Sequence, residues 1–409
     1  MKLIVQNTAA LAGEVLVPPS KSHTHRAIII ASLSEGTSRI SNPLRSGDIT
    51  STIEACKAFG ARFQRTGTIL KVTGVAGRPA VPLRVIDVGN SGTTIRLMGS
   101  LAALCDGSTT LTGDESIQGR PMGPLLTCLN DLGAQARSIR DDENPPVEII
   151  GPMQGGSTTL QGLSSQFLSS LLIASPLAAG STRISVVNLR SSPYAAMTLT
   201  HLERAGAVID SNGGDEFKIG GGQLYTAQDF TVPGDFSSAA FLLAANHVTD
   251  SRVEVLGLDD ENQADRFILE IMRRMQSDES RVFDLGECPD LLPITAVLGC
   301  YSQGRTTLRN VEHARLKECD RITAICSELA KMGARIEERP DGLTVERSSL
   351  RGAVLDGHKD HRIVMALAVA ALRASGRTEI SDSEVISISF PDFIGVMRGI
   401  GADMTEVAT

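Results

Sequence analysis

A phrase that returns six times, with a period of roughly 70 residues, restricts this chain to architectures assembled from repeated units. Each copy opens on small or charged residues, runs through an apolar helix-like stretch and turns into a Ser/Thr-rich strand. A second, amphipathic stretch follows. The strand phrases are Gly36-Thr-Ser-Arg-Ile40, Gly107-Ser-Thr-Thr-Leu111, Gly180-Ser-Thr-Arg-Ile184, Asp250-Ser-Arg-Val-Glu254, Gly304-Arg-Thr-Thr-Leu308 and Gly376-Arg-Thr-Glu-Ile380. The second stretch closes on Gly-Ala at Gly60, Gly133, Gly206, Gly333 and Gly401, and the copy between Gly206 and Gly333 lacks the pair.

The first run of a copy, such as 167–177 or 363–372, is apolar on all sides and predicts a buried helix. The second, such as 320–332, is charged on one face and stops at Gly333, as a surface helix does. One such unit leaves an apolar face open, so several must share a core. A chain of 409 residues exceeds one ordinary core, and six copies divide into three plus three. The fold class is therefore α/β, with two domains of buried helices inside sheets. Proline-bearing junctions at Val17-Pro-Pro-Ser20 and Val232-Pro-Gly-Asp235 bracket the first three copies. They predict one discontinuous domain, 1–18 with 233–409, and one continuous domain, 19–232, with a hinge where the chain crosses twice near 17–20 and 232–235. Gly213-Gly214 and Gly220-Gly-Gly222 read as hairpin turns.

Composition excludes several functions. The net charge of −8, three Tyr and no Trp leave neither a broad basic face nor a stacking ladder for nucleic acid. Seven Cys without paired spacing fit reduced thiols in a cytoplasm. The start lacks a secretory apolar stretch, and no run reaches the roughly 18 residues of a membrane span. The spacings of the seven His match no standard metal site, so no metal is expected; neither a Walker loop nor a dinucleotide fingerprint is present.

The openings of the apolar runs carry the chemistry. Lys21, Ser22 and Arg26 fall on the first turns of the first run, where free backbone N–H groups already favour an anion. Asn90, Gly92, Thr93 and Arg96 open the second, with Gly92 permitting close backbone approach to a ligand. Arg120-Pro121 reads as the first turn of that copy's second helix. Ser164, Ser165 and Gln166 open the third run and Ser191 to Tyr194 its partner, with N-capping as the alternative reading. Arg315-Leu-Lys-Glu-Cys-Asp-Arg321 packs five charged groups into seven residues. A surface ion-pair network competes there with a Lys317/Glu318 proton-transfer pair and an Arg321 fork for a carboxylate. Arg362 offers a second fork, and Asp290 is either a cap or a base acting on a hydroxyl. Small, multiply charged anions and proton carriers without an organic cofactor are the chemistry implied.

In this order the motifs Pro19-Ser-Lys-Ser, Asn90-Ser-Gly-Thr, Arg120-Pro, Ser164-Ser-Gln, Ser191-Ser-Pro-Tyr, Gly234-Asp-Phe-Ser-Ser, Pro289-Asp, Lys317-Glu-Cys-Asp-Arg, Asp360-His-Arg and Phe390-Pro-Asp resemble those of the 5-enolpyruvylshikimate-3-phosphate synthases, archaeal-type members in particular. The resemblance spans essentially the whole chain. It implies the two-domain enolpyruvyl transferase fold of six βαβαββ units, closing on its substrates. It also implies transfer of enolpyruvyl from phosphoenolpyruvate to the 5-hydroxyl of shikimate 3-phosphate, in the shikimate pathway of aromatic amino acid biosynthesis. By that resemblance Lys21, Ser22, Arg26, Ser164, Ser165, Gln166, Ser191, Tyr194, Asp290 and Lys317 hold shikimate 3-phosphate. Lys21, Gly92, Arg120, Gln166, Arg321 and Arg362 hold phosphoenolpyruvate. Lys21, Asp290 and Glu318 are catalytic. No cofactor or metal, no nucleic-acid or membrane partner, and a cytoplasmic monomer are expected.

Two positions depart from the commonest pattern: His313 stands where many members have Asn, and Ile388 where many have a Lys that helps bind phosphoenolpyruvate. Weaker phosphoenolpyruvate and glyphosate binding is the expectation. A UDP-N-acetylglucosamine enolpyruvyl transferase is the nearest rival, but its loop Cys is replaced by Glu115 and its Lys-Asn pair by Lys21-Ser22. A homologue acting on another cyclitol or carbocycle is the second. A non-catalytic anion-binding paralogue is the third, opposed by the presence of Lys21, Asp290 and Glu318 together.

Overall fold

The computed structural model describes residues 1–408 apart from 163, 213, 259–261 and 278. The chain forms two compact units, residues 19–232 and residues 1–18 with 233–409, each with its own hydrophobic core.

In the unit 19–232 the helices are α1 (Lys21–Leu33), α2 (Gly47–Ala58), α3 (Gly92–Ala102), α4 (Glu115–Gln118), α5 (Gly123–Asp131), α6 (Ser165–Ala174) and α7 (Ser192–Arg204). The sheets repeat one plan. The Ser/Thr-rich strand pairs in parallel with one neighbour and antiparallel with the far strand of the hairpin that follows it. Thr37–Ser41 lies between Asp229–Thr231 and Ile69–Thr73, Ser108–Thr112 between Ile86–Asp87 and Val147–Ile150, and Thr182–Val187 between Gly156–Gln161 and Glu216–Ile219. The strand that completes the first sheet comes from the end of the unit, so the three repeats close on themselves.

The other unit contains α8 (Phe236–Thr249), α9 (Ile268–Met275), α10 (Leu292–Tyr301), α11 (Arg321–Lys331), α12 (His361–Ala371) and α13 (Phe393–Gly399). The plan recurs in the sheet around Arg305–Arg309 and in that around Thr378–Ser381, whose antiparallel partner is the N-terminal strand Lys2–Val5. The fourth repeat departs from it. Among the described residues its sheet is only Arg252–Leu256 paired with Ala12–Leu16, with no hairpin after α9. This explains the missing Gly-Ala. In the other five copies the Gly sits in left-handed backbone just past the second helix, and the Ala N–H returns to a helix carbonyl five residues back, as Ala61 does to Cys56 and Ala334 to Leu329. That cap swings the chain into the hairpin, and a repeat without a hairpin has no use for it.

The first-run helices are buried as read from sequence: every residue of α12 is buried, and α3, α6, α8 and α10 nearly so. α11 buries Ile322, Ile325 and Leu329 on one face. Two local readings are corrected. The second helix of repeat two starts at Gly123, with Pro124 in its first turn, and Arg120-Pro121 lies in the segment between α4 and α5. Gly220 to Gly222 is no hairpin but leads from one sheet to Asp229–Thr231 in another; Gly214 lies in the 209–219 hairpin, and Gly213 is outside the described residues.

Candidate active site

The two units cap their buried helices with different chemistry. In the unit 19–232 the N-caps of α1, α3 and α6 are Ser20, Ser91 and Ser164, which accept from the N–H of His23, Thr94 and Gln166. A serine satisfies a free N–H without adding charge, so these three caps do not themselves neutralise the positive ends of the helix dipoles. In the other unit Asp235 caps α8, Asp360 caps α12, and Asp290 stands in the turn that leads into α10. The first arrangement suits binding anions, the second suits holding cations and moving protons.

Side-chain contacts knit the serine-capped ends together. Gln166 joins α6 to α3, accepting from Arg96 Nη1 (2.7 Å) and donating to Thr93 Oγ1 (2.9 Å). Lys21, the first residue of α1, reaches Asp48 of α2 at 3.1 Å. Thr52 links His25 of α1 to Thr94 of α3, and burial, with Lys21 and Arg26 adding to it, lowers the His25 pKa so that the ring stays neutral between two cations. Arg26 is not a solvated cap residue. It is 2% exposed, and its guanidinium donates to Thr198 Oγ1 (2.7 Å), Ser169 Oγ (3.2 Å) and the carbonyls of Ser22 and Tyr194. All four acceptors are neutral. Burial lowers its pKa to about 10, so the group stays protonated at neutral pH. Ser165 and Ser191 are buried, and Ser191, at the start of α7, holds left-handed backbone at φ 57°.

Gly92 has a second task that its sequence context did not reveal. A Cβ there would lie 2.6 Å from Arg120 Nη1, so the missing side chain makes room for the guanidinium. Arg120 is buried, donates to Ser116 Oγ at 3.2 Å, and is thereby brought to the first turn of α3.

In the other unit the node is Arg321, 1% exposed in the first turn of α11. It donates to Asp290 Oδ1 (2.7 Å), Glu318 Oε2 (2.6 Å) and Asp360 Oδ2 (2.7 Å), so its fork is spread over three carboxylates of the chain itself. Arg362 Nη2 holds the other Asp290 oxygen at 2.9 Å, and Lys317 Nζ approaches Asp290 at 3.8 Å. Of the predicted residues, Asp290, Lys317, Glu318, Arg321 and Arg362 are thus brought together here. Burial alone would lower the Arg321 pKa, but Asp360, Glu318 and Asp290 outweigh it and raise it well above the ordinary range. Burial alone would raise Asp290, but Arg362, Lys317 and Arg321 hold it well below the usual carboxylate range. Its neighbour Asp265, bonded to Ser237, goes the other way: burial, reinforced by Asp290, pushes it up to about 6. Asp290, Glu318 and Asp360 occupy the Arg321 guanidinium, so an anion that binds Arg321 displaces a carboxylate from it.

Asp48, Asp265 and Asp360 were not singled out from the sequence as functional. Asp360 and Asp235 share a readable signal, a lone Asp before an apolar run; Asp265, in a short turn, has none. His313 and Ile388 are both half-buried, in the turns that precede Lys317 and Ser389.

Six sheet-and-helix repeats, with serine-capped helix ends in one unit and an arginine–carboxylate node in the other, define an α/β protein of a repeat class whose buried helices open on charged and hydroxyl side chains. The EPSP synthase (3-phosphoshikimate 1-carboxyvinyltransferase) family matches residues 5–397, and the chain belongs to it. A 3-phosphoshikimate 1-carboxyvinyltransferase of Methanothrix thermoacetophila is 48% identical, covering 98% of this chain and 99% of that one. Those of Methanocella arvoryzae and Acetivibrio thermocellus are 47% and 42% identical, over 95% and 99% of this chain and 96% and 99% of theirs. An EPSP synthase structure from Acinetobacter baumannii superposes with a TM-score of 0.84 at 24% identity, over 99% of this chain and all of that one, a likeness of fold.

Proposed function

We propose that the protein transfers the enolpyruvyl group of phosphoenolpyruvate to the 5-hydroxyl of shikimate 3-phosphate, with release of phosphate. Family membership over nearly the full chain carries the reaction. The observation that carries the assignment of roles is Arg321, a fully buried cation whose three acid partners an anionic substrate can replace.

The serine-capped ends suit shikimate 3-phosphate. Ser22, Ser164, Ser165, Gln166, Ser191 and Tyr194 supply donors, Lys21 supplies charge, and Arg26 adds a buried charge held by neutral hydroxyl and carbonyl acceptors. The left-handed Ser191 supports a binding role, because such strain gathers where a side chain is held for function. Arg120, set against Gly92, and Arg321 and Arg362 suit the carboxylate and phosphate of phosphoenolpyruvate.

In this reading the binding of phosphoenolpyruvate to Arg321 and Arg362 releases Glu318 and Asp290 from their ion pairs. Both then become stronger bases, and Glu318 can carry a proton. Glu318 gives that proton to the methylene carbon. The 5-hydroxyl oxygen bonds to C2 as its own proton passes to Asp290, giving a tetrahedral adduct. Glu318, left as the carboxylate, then takes a methyl proton, and the C–H electron pair restores the double bond as the bond from C2 to the phosphate oxygen breaks and phosphate leaves with the electron pair of that bond. Lys21, Arg120 and Lys317 stabilise the oxyanions that develop. The cytoplasm is the proposed compartment, supported by seven unpaired cysteines; no helix among the described residues is long and apolar enough to cross a membrane. A monomer is the proposed working state, tested by light scattering. Product analysis by phosphorus NMR tests the reaction: an enolpyruvyl ether of shikimate 3-phosphate is expected, and ether formation on UDP-N-acetylglucosamine instead would overturn it.

A further inference from the structure

Seven residues beyond Arg321, and so on the same face of α11 two turns later, a second charged side chain is buried. Glu328 is 1% exposed and meets donors on all sides. Lys331 Nζ lies at 2.7 and 2.8 Å, the Asp356 N–H at 2.9 Å, His358 Nε2 at 3.0 Å and Ser327 Oγ at 3.2 Å. Burial alone would raise its pKa, but Lys331, the Asp356 N–H and His358 more than offset this and lower it, so it is an ionised acceptor. Two of these donors belong to the loop 356–359 that leads into Asp360 and Arg362.

That loop is strained. His358 and Lys359 are consecutive non-glycine residues in left-handed backbone, at φ 52° and 51°. Such a pair persists only where its surroundings over-determine it. The restraints are the two bonds to Glu328, the His358 N–H to Asp356 Oδ1 (2.7 Å), the Lys359 N–H to Asp382 Oδ2 (3.2 Å) and the Gly357 N–H to Ser381 Oγ (3.0 Å). The next residue, Asp360, accepts from Arg321, and Arg362 follows on the first turn of α12. α11 therefore grips one segment twice, at Asp360 through Arg321 and at Asp356 and His358 through Glu328.

We infer that Glu328 is a positioning residue which, through His358 and the strained loop, sets Arg362 for phosphoenolpyruvate. This rests on the assignment of Arg362 to that substrate. The test compares Glu328→Gln, His358→Gly, Lys331→Ala and Arg362→Gln by KM for each substrate, kcat and Tm. His358→Gly relieves the strain while removing the bond, so it separates positioning from stability. Glu328→Gln and His358→Gly are expected to raise the phosphoenolpyruvate KM about tenfold or more, leaving the shikimate 3-phosphate KM within about twofold, while Lys331→Ala, which removes a hydrogen bond to Glu328 and none to the loop, changes neither KM. An unchanged phosphoenolpyruvate KM in both variants, beside a raised one in Arg362→Gln, overturns the inference alone. An unchanged KM in Arg362→Gln overturns the assignment of Arg362 and this inference with it. A rise in both KM values together with a fall in Tm reduces Glu328 to a structural group and also overturns it. Should Glu328→Gln fail to fold, His358→Gly decides by the same criterion.

Discussion

Replacing Gly92 with alanine tests the proposed phosphoenolpyruvate site with the smallest available perturbation. The added Cβ would stand 2.6 Å from Arg120 Nη1, and ordinary contact begins at 3.4 Å, so the guanidinium must retreat by about 0.8 Å. The obstructed atom is the far end of a long side chain, and Gly92 is not in left-handed backbone, so the fold absorbs the change with little loss of Tm. A bidentate anion contact does not absorb 0.8 Å. Losing one hydrogen bond to a charged partner costs about 1.5–3 kcal/mol, a roughly 10- to 150-fold rise in the phosphoenolpyruvate KM. Steady-state kinetics with shikimate 3-phosphate saturating would show this, with a smaller change in the KM for the second substrate. An unchanged phosphoenolpyruvate KM in a folded Gly92→Ala enzyme would refute the placement of Arg120 on that substrate.

Other perturbations bear on separate parts of the reading. Arg26→Ala removes a buried cation that donates to groups of α1, α6 and α7, and should cost about 1.5–3 kcal/mol in denaturant unfolding along with shikimate 3-phosphate affinity. Asp265, pushed up to about 6, keeps a proton in the folded state that the unfolded chain releases near pH 4. Its contribution to stability is therefore full below that and lost as pH rises towards and past 6. The stability of Asp265→Asn relative to wild type should accordingly improve by on the order of 2 kcal/mol between pH 4 and pH 7, measured by paired urea titrations. Ile388→Lys should lower the phosphoenolpyruvate KM and strengthen glyphosate inhibition, and unchanged values for both would count against the role given to that position.

The repeat was legible because its causes are local. Apolar periodicity marks helices such as α12 that are buried on every side, and each Gly-Ala marks a left-handed cap followed by a returning N–H. The site was legible only where a charged residue opens such a helix, as Lys21, Arg321 and Arg362 do. What stayed hidden depends on partners far along the chain. Arg26 lies 172 residues from Thr198, and nothing local distinguishes a guanidinium bonded inside the fold from one facing solvent. Arg120 was placed on a helix that starts later, because Pro121 and Pro124 offer the same first-turn signal. Glu328 reads as one more charge on the polar face of α11, and only the strained loop 356–359 packed against it shows otherwise.

Phosphate release from phosphoenolpyruvate, followed with and without shikimate 3-phosphate in the presence of EDTA, for wild type beside Glu318→Gln, bears most directly on the reading of this protein as a transferase that supplies its own proton carriers. Release that requires shikimate 3-phosphate, survives the chelator and falls by roughly two to four orders of magnitude in the variant is the expected result. No release from the folded wild-type protein, or full activity in Glu318→Gln, would contradict it.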